Sequence, residues 1–145
     1  MKVLTKENPN LDVDIVIEYR ELTPEVEAIL RQFQKNDIHV EHRGREFAVS
    51  LNKVLFFETE TDYVYAHTHD GSYKVKYRLY ELEELLPHQF QRISKSAIVN
   101  CDLIASIERN LSSSRSVQFY NTHKIVYVSR MFFPILKKQL DERSL

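Results

Sequence analysis

The stretch VDIVIEY (13–19) alternates apolar with mostly polar residues, the period of a half-buried strand. The period then lengthens. In TPEVEAILRQFQ (23–34), Val26, Ile29, Leu30 and Phe33 fall at helical spacing. Thr23 is placed to cap this helix, Pro24 opens it, and Glu25 and Glu27 suit the positive end of its dipole. Such a strand-helix unit cannot bury its apolar faces alone, so it needs the rest of the chain or a partner. Beyond the candidate linker at 34–37 the period of two returns. IHVEHRGREFAVSL (38–51) predicts two strands about an Arg43-Gly44 turn, with Phe47, Val49 and Leu51 on one face. KVLFFETE (53–60) predicts a third strand, and a hairpin follows in YVYAHTHDGSYKVKY (63–77). RLYELEELLPHQF (78–90) predicts a short helix ending near Pro87, with Leu79, Leu82, Leu85 and Leu86 inward. AIVNCDLIASIE (97–108), SVQFYN (116–121) and KIVYVS (124–129) read as further strands. RMFFPILKKQL (130–140) closes the chain as a helix with Ser129 as its cap. The expected class is mainly β with short helices (α+β). A strand-helix extension over 1–38 precedes a β domain over 39–145.

The hairpin carries the first candidate chemistry. His67, His69 and Asp70 stand within four residues, a grouping that could hold a metal ion. Asp70-Gly71 is also a strong two-residue turn signal, since both central residues of the favoured turn have φ above zero. Read that way, His69 pairs with Ser72, His67 with Lys74 and Tyr65 with Lys76; Ala66 and Val75 meet on the apolar face. An ammonium opposite His67 opposes a divalent cation, and Asp70 belongs to the turn. The expectation is therefore a solvated hairpin face and no metal.

Composition narrows the field further. The chain has 145 residues, 43% hydrophobic and 28% charged, enough apolar matter for one core. Its two glycines, Gly44 and Gly71, are too few for a phosphate-cradling loop or a dinucleotide fingerprint. A single cysteine, Cys101, and the absence of a signal-like apolar stretch at the start point to a cytoplasmic protein. Glu58 with Glu60, and Glu83 with Glu84, read as surface charge, so neither catalysis nor a cofactor is expected. The net charge of -1 hides an asymmetry. Residues 1–38 hold five Lys/Arg against eight Asp/Glu, whereas 39–145 hold fifteen against thirteen. The later cations cluster at Lys74-Lys76-Arg78, at Arg92-Lys95 and at Lys124, Arg130, Lys137 and Lys138, and clusters make an electrostatic footprint.

Five pieces in series are more specific than any one of them. Phe57-Glu58 ends a strand before the hairpin, and the Leu-rich 79–86 helix follows. Then come Arg92-Ile93-Ser94-Lys95-Ser96-Ala97-Ile98-Val99-Asn100 and a late Ser129-Arg130 before the closing helix. In this order and spacing, from about His42 to Leu140, the chain resembles the LytTR family of bacterial DNA-binding domains. The resemblance implies an elongated antiparallel β fold that reads double-stranded DNA through inter-strand loops entering successive major grooves. It implies that Lys95 and Arg130 read base edges and that Asp62 lies near a third contact. Arg92, Ser94, Ser96 and Asn100 would hold phosphates or brace the loop; the structural reading of Asn100 is an amide that bridges backbone groups in a turn. Arginine suits the O6/N7 edge of guanine, and lysine can serve the same acceptors. Ser94 stands where the family more often has histidine, and Asn121-Thr122 where it has a tighter Asn-Gly turn.

Many family members carry a receiver domain ahead of the reader, for which 38 residues are too few. The implied protein is a stand-alone transcription regulator that works as a homodimer and bends its site. A small inhibitory membrane protein is a further implied partner. A protein-interaction module that keeps the fold without DNA activity is the competing reading, and a metal enzyme centred on His67 and His69 is the third.

Overall fold

The computed structural model describes residues 1–33, 36–111 and 114–143; residues 34 and 35 of the expected linker lie outside them. The chain divides into two compact units, 1–33 and 34–145.

In the first unit, α1 (Pro24–Phe33) forms as its sequence predicts. The Val26 amide donates to Oγ1 of Thr23 at 3.3 Å, and Arg31 pairs with Glu27 one turn back at 2.8 Å. Residues 13–19 do not form the expected strand. A strand needs hydrogen-bonding neighbours, and this segment pairs with none among the described residues. Ile15 and Val16 stay exposed, as does Phe33 at the end of α1.

The second unit holds a seven-stranded and a three-stranded antiparallel sheet. The larger comprises β1 (Asp37–His42), β2 (Arg45–Ser50), β3 (Phe56–Glu60), β4 (Tyr63–His67), β5 (Ser72–Val75), β6 (Phe90–Ser94) and β7 (Ala97–Asn100). Its order is β2-β1-β5-β4-β3-β7-β6. The smaller sheet holds β8 (Ile104–Arg109), β9 (Arg115–Phe119) and β10 (Ile125–Val128) in the order β10-β9-β8. Helix α2 (Leu79–Leu85) lies between β5 and β6, and α3 (Phe133–Arg143) follows β10.

Successive strand residues face opposite ways, and the two faces of the large sheet feed separate cores. Phe57 and Ile98 join Val40, Val64, Ala66 and Val75 under α2, whose Leu79 and Leu82 point in. Phe56, Ala97 and Val99 face the other way, onto Val117, Phe119, Val126 and Val128 of the small sheet and Leu136 of α3. The Phe56-Phe57 pair and the wholly buried run of β7 are apolar without alternation for this reason.

Four local expectations differ from the structure. The 97–108 stretch is broken, because a 3-10 turn over Cys101–Leu103 carries the chain from the large sheet to the small one. Leu85 faces solvent rather than the core. The Ser129 side chain does not cap α3: its hydroxyl is buried without a partner, and its carbonyl instead accepts from the amides of Phe132 and Phe133. The fourth concerns the hairpins. Arg43 and Gly44 (φ 51° and 78°) make the two-residue turn that their sequence predicts, joining His42 to Arg45. Asp70-Gly71 does not: neither has positive φ, and His67 pairs with Ser72 rather than Lys74. The connection is a four-residue loop closed by the Thr68 amide on the Gly71 carbonyl at 2.9 Å. A shift of two positions keeps Val64 and Ala66 inward, so the core pattern survives the change of register.

Candidate nucleic-acid interface

Strand direction brings one set of connections to one end of the large sheet. The β3–β4 turn (Thr61-Asp62), the β6–β7 turn (Lys95-Ser96) and the link from β5 into α2 lie together there. The β10–α3 turn joins them, since the Ser129 amide donates to the Ile93 carbonyl at 2.9 Å. Asp62, Lys95 and Arg130, far apart in sequence, are therefore carried on three turns at the same end. All three are exposed, and none takes part in an ion pair among the described residues.

The β6–β7 turn is built from the residues around Lys95. Arg92 Nε donates to the Ser94 carbonyl and Nη2 to the Lys95 carbonyl, each at 2.6 Å. Its Nη1 is held by Glu83 of α2. Ser94 Oγ accepts from the Ser96 amide at 3.1 Å and lies 3.3 Å from Ser96 Oγ. The Ser96 carbonyl accepts from the Thr59 amide of β3 at 2.8 Å. The guanidinium of Arg92 is thus spent inside the protein, and the two serines tie the turn to itself. This is the bracing half of what the resemblance implied for Arg92, Ser94 and Ser96. Asn100 also braces: its Nδ2 donates to the carbonyls of Val54 at 3.0 Å and Leu51 at 3.4 Å, and its Oδ1 accepts from Asp102 at 3.1 Å.

Beside Lys95 and Asp62 runs an open groove of 640 Å³, also lined by Lys74, Lys76, Arg78 and Tyr80. The basic run 74–78 announced these cations in sequence, but only the sheet order sets them next to Lys95. Lys74 is partly occupied, 3.9 Å from Glu41 and 4.1 Å from the centroid of the Tyr63 ring. At the β3–β4 turn Thr61 has φ 60°, a left-handed conformation that a β-branched residue adopts only under strain.

His67 departs from the solvated face expected of the hairpin, whereas His69 is exposed. His67 stacks on Phe56 with centroids 4.4 Å apart, and its Nε2 lies 2.8 Å from Glu60. Burial lowers its pKa, and the Lys124 ammonium adds to this; the hydrogen bond and charge of Glu60 oppose them. His69 turns away to the Tyr120 carbonyl at 2.8 Å, and Lys124 reaches the Gly71 carbonyl at 2.8 Å, so the β9–β10 loop docks on this hairpin. Ligand atoms of Glu58, Glu60 and His67 do lie within 4.8 Å of one another, a spacing that could hold an ion. Lys124 already supplies positive charge beside this cluster, and Glu60 is bonded to the imidazole. The Glu58 carboxyl is pushed above its ordinary range by burial and then by Glu60.

The fold is thus two antiparallel sheets, with exposed cations on turns at one end of the larger. Residues 44–141 match the sequence model of the LytTr DNA-binding domain, and the chain belongs to that family. An HTH-type transcriptional regulator of Staphylococcus aureus strain MRSA252 is 35% identical over 93 residues, 64% of this chain and 63% of the relative. A similarly described regulator of the bovine strain RF122 is 33% identical over 105 residues, 72% of this chain and 65% of the relative. The chain therefore spans less than two thirds of these relatives. The LytTr DNA-binding domain of a response regulator from Bacillus cereus superposes with a TM-score of 0.68 at 27% identity, over 74% of this chain and 98% of that one. The expected family and the mainly antiparallel β class hold. No helix among the described residues is long and apolar enough to cross a membrane.

Proposed function

We propose that this protein is a sequence-specific transcription regulator in which Lys95 and Arg130 read base edges in the major groove. The observation that carries the reading is their shared setting: two exposed cations with no ion pair among the described residues, on turns at one end of the domain, one of them on a turn held from beneath by Arg92. A side chain on a pre-ordered turn loses less entropy on binding than one on a loose loop, which favours readout there. Asp62 on the neighbouring turn can only accept hydrogen bonds, which suits a cytosine amino group and not a phosphate. Arg92, Ser94 and Ser96 position Lys95 and contact phosphate little. The protein acts in the cytoplasm as a dimer on paired elements and bends them; the first unit, with its exposed apolar residues, serves as dimerisation element or docking site. A small inhibitory membrane protein is a further candidate partner.

The test is fluorescence anisotropy with duplexes tiling the region upstream of the protein's own gene. Lys95→Ala and Arg130→Ala should each lose roughly 1–3 kcal/mol of discrimination between the best duplex and a scrambled one. Wild-type discrimination in both variants would remove them as base readers.

A further inference from the structure

We infer that the groove beside Lys95 is a second DNA contact, a phosphate-binding track formed by Lys76 and Arg78 with Tyr80. This rests on the DNA-binding reading above and extends it from base-reading turns to a flanking surface outside them. Among the cations lining the groove, Lys74 is engaged by Glu41 and Tyr63, and Arg92 by Glu83 and two carbonyls. Lys76 and Arg78 are exposed and form no ion pair among the described residues; Lys76 has only a distant ring contact, 5.9 Å from the Tyr77 centroid. They stand on the short link between β5 and α2, at the same end of the sheet as the β6–β7 turn. Tyr80, one residue into α2, is 66% exposed, so its hydroxyl is open to a ligand that passes along the groove.

The chemistry selects an extended polyanion. The groove is open, so it suits a ligand that runs past it. Two exposed cations without an ion pair among the described residues, and a phenolic donor, supply the charge and hydrogen bonds that phosphate oxygens accept. They offer no paired donor-acceptor edge for a base. The track should therefore add affinity without adding sequence discrimination, in contrast to Lys95 and Arg130. It also accounts for how a domain with little net positive charge can hold DNA: the charge is concentrated where the backbone passes.

The salt dependence of binding tests this directly. The probes are the tightest of the tiled upstream duplexes and a scrambled duplex of equal length. Each phosphate neutralised contributes about 0.9 to the slope of log affinity against log salt. Lys76→Gln/Arg78→Gln should lower that slope by about 2 on both duplexes and leave their affinity ratio unchanged. Arg45→Gln/Lys53→Gln removes the same charge from the β1–β2 turn and the hollow beside His69, and should leave the slope nearly unaltered. An unchanged slope in the first variant, with site-dependent wild-type binding intact, overturns the track and leaves the reader standing. Equal losses in both variants also overturn it, since net charge would then explain the effect. Absence of site-dependent binding by the wild type removes the reader, and the track with it.

Discussion

Asn100 ends β7 with 1% of its surface exposed, and both ends of its amide are engaged. It ties the 51–54 segment that enters β3 to the 3-10 turn that leaves the large sheet. Removing the amide takes its donor from the Val54 carbonyl and its acceptor from the Asp102 N–H, each a desolvation loss, while the Leu51 carbonyl keeps the Val54 amide. Asn100→Ala should therefore cost about 2–3 kcal/mol of stability, read from the urea midpoint. A loss below about 0.5 kcal/mol would mean that water replaces the side chain. This role was legible in the sequence, because asparagine at the end of a strand is a turn-forming residue wherever it occurs. That of His67 was not. Its stacking partner, Phe56, belongs to a neighbouring strand, and no local pattern reports which ring lies across a sheet.

The turns of the large sheet show the same division at the scale of elements. Arg43-Gly44 forms the two-residue turn expected of it. Asp70-Gly71 carries the stronger signal and fails to do so. There the β9–β10 loop takes over, with Lys124 on the Gly71 carbonyl and Tyr120 on His69. The β6–β7 turn depends on a cation from its own strand. Arg92→Ala removes two hydrogen bonds to turn carbonyls and the link to Glu83, and should lower stability by about 2 kcal/mol. It should also weaken DNA binding while leaving the salt slope within about 0.5 of wild type, because Arg92 orders Lys95 without meeting phosphate itself. A full unit lost from the slope would return Arg92 to the phosphate contacts.

For the molecule as a whole, His67 makes stability depend on pH. Burial, then Lys124, holds its imidazole neutral in the folded protein, below the ordinary value of 6.5, whereas the unfolded chain takes up the proton near that value. Folding is then opposed by protonation, so the stability present at neutral pH is lost as the pH falls below 6.5. Glu58 acts with the opposite sign further down. Its raised pKa lets the folded state take up a proton first, so it favours the fold as pH falls toward its ordinary value of 4.5. Urea midpoints between about pH 7 and 5.5 should fall in the wild type and flatten in His67→Gln. Equal slopes in the two proteins would assign the effect to other groups.

Alternation, turn residues and helical spacing determined most of the elements, because they are local consequences of which side chains can face a core. The order of the five family pieces determined the family itself. Residues 13–19 mark the limit of such patterning, since alternation describes what a strand would bury and not whether a neighbour exists to pair with it. The tertiary structure alone decided that one apolar run, Phe56-Phe57, serves two cores, and that a docked loop overrides the Asp70-Gly71 turn. It also brought Asp62, Lys95, Arg130 and the 76–80 cations to one end of the domain. Sequence separation carries no information about such convergence; strand direction and sheet order create it.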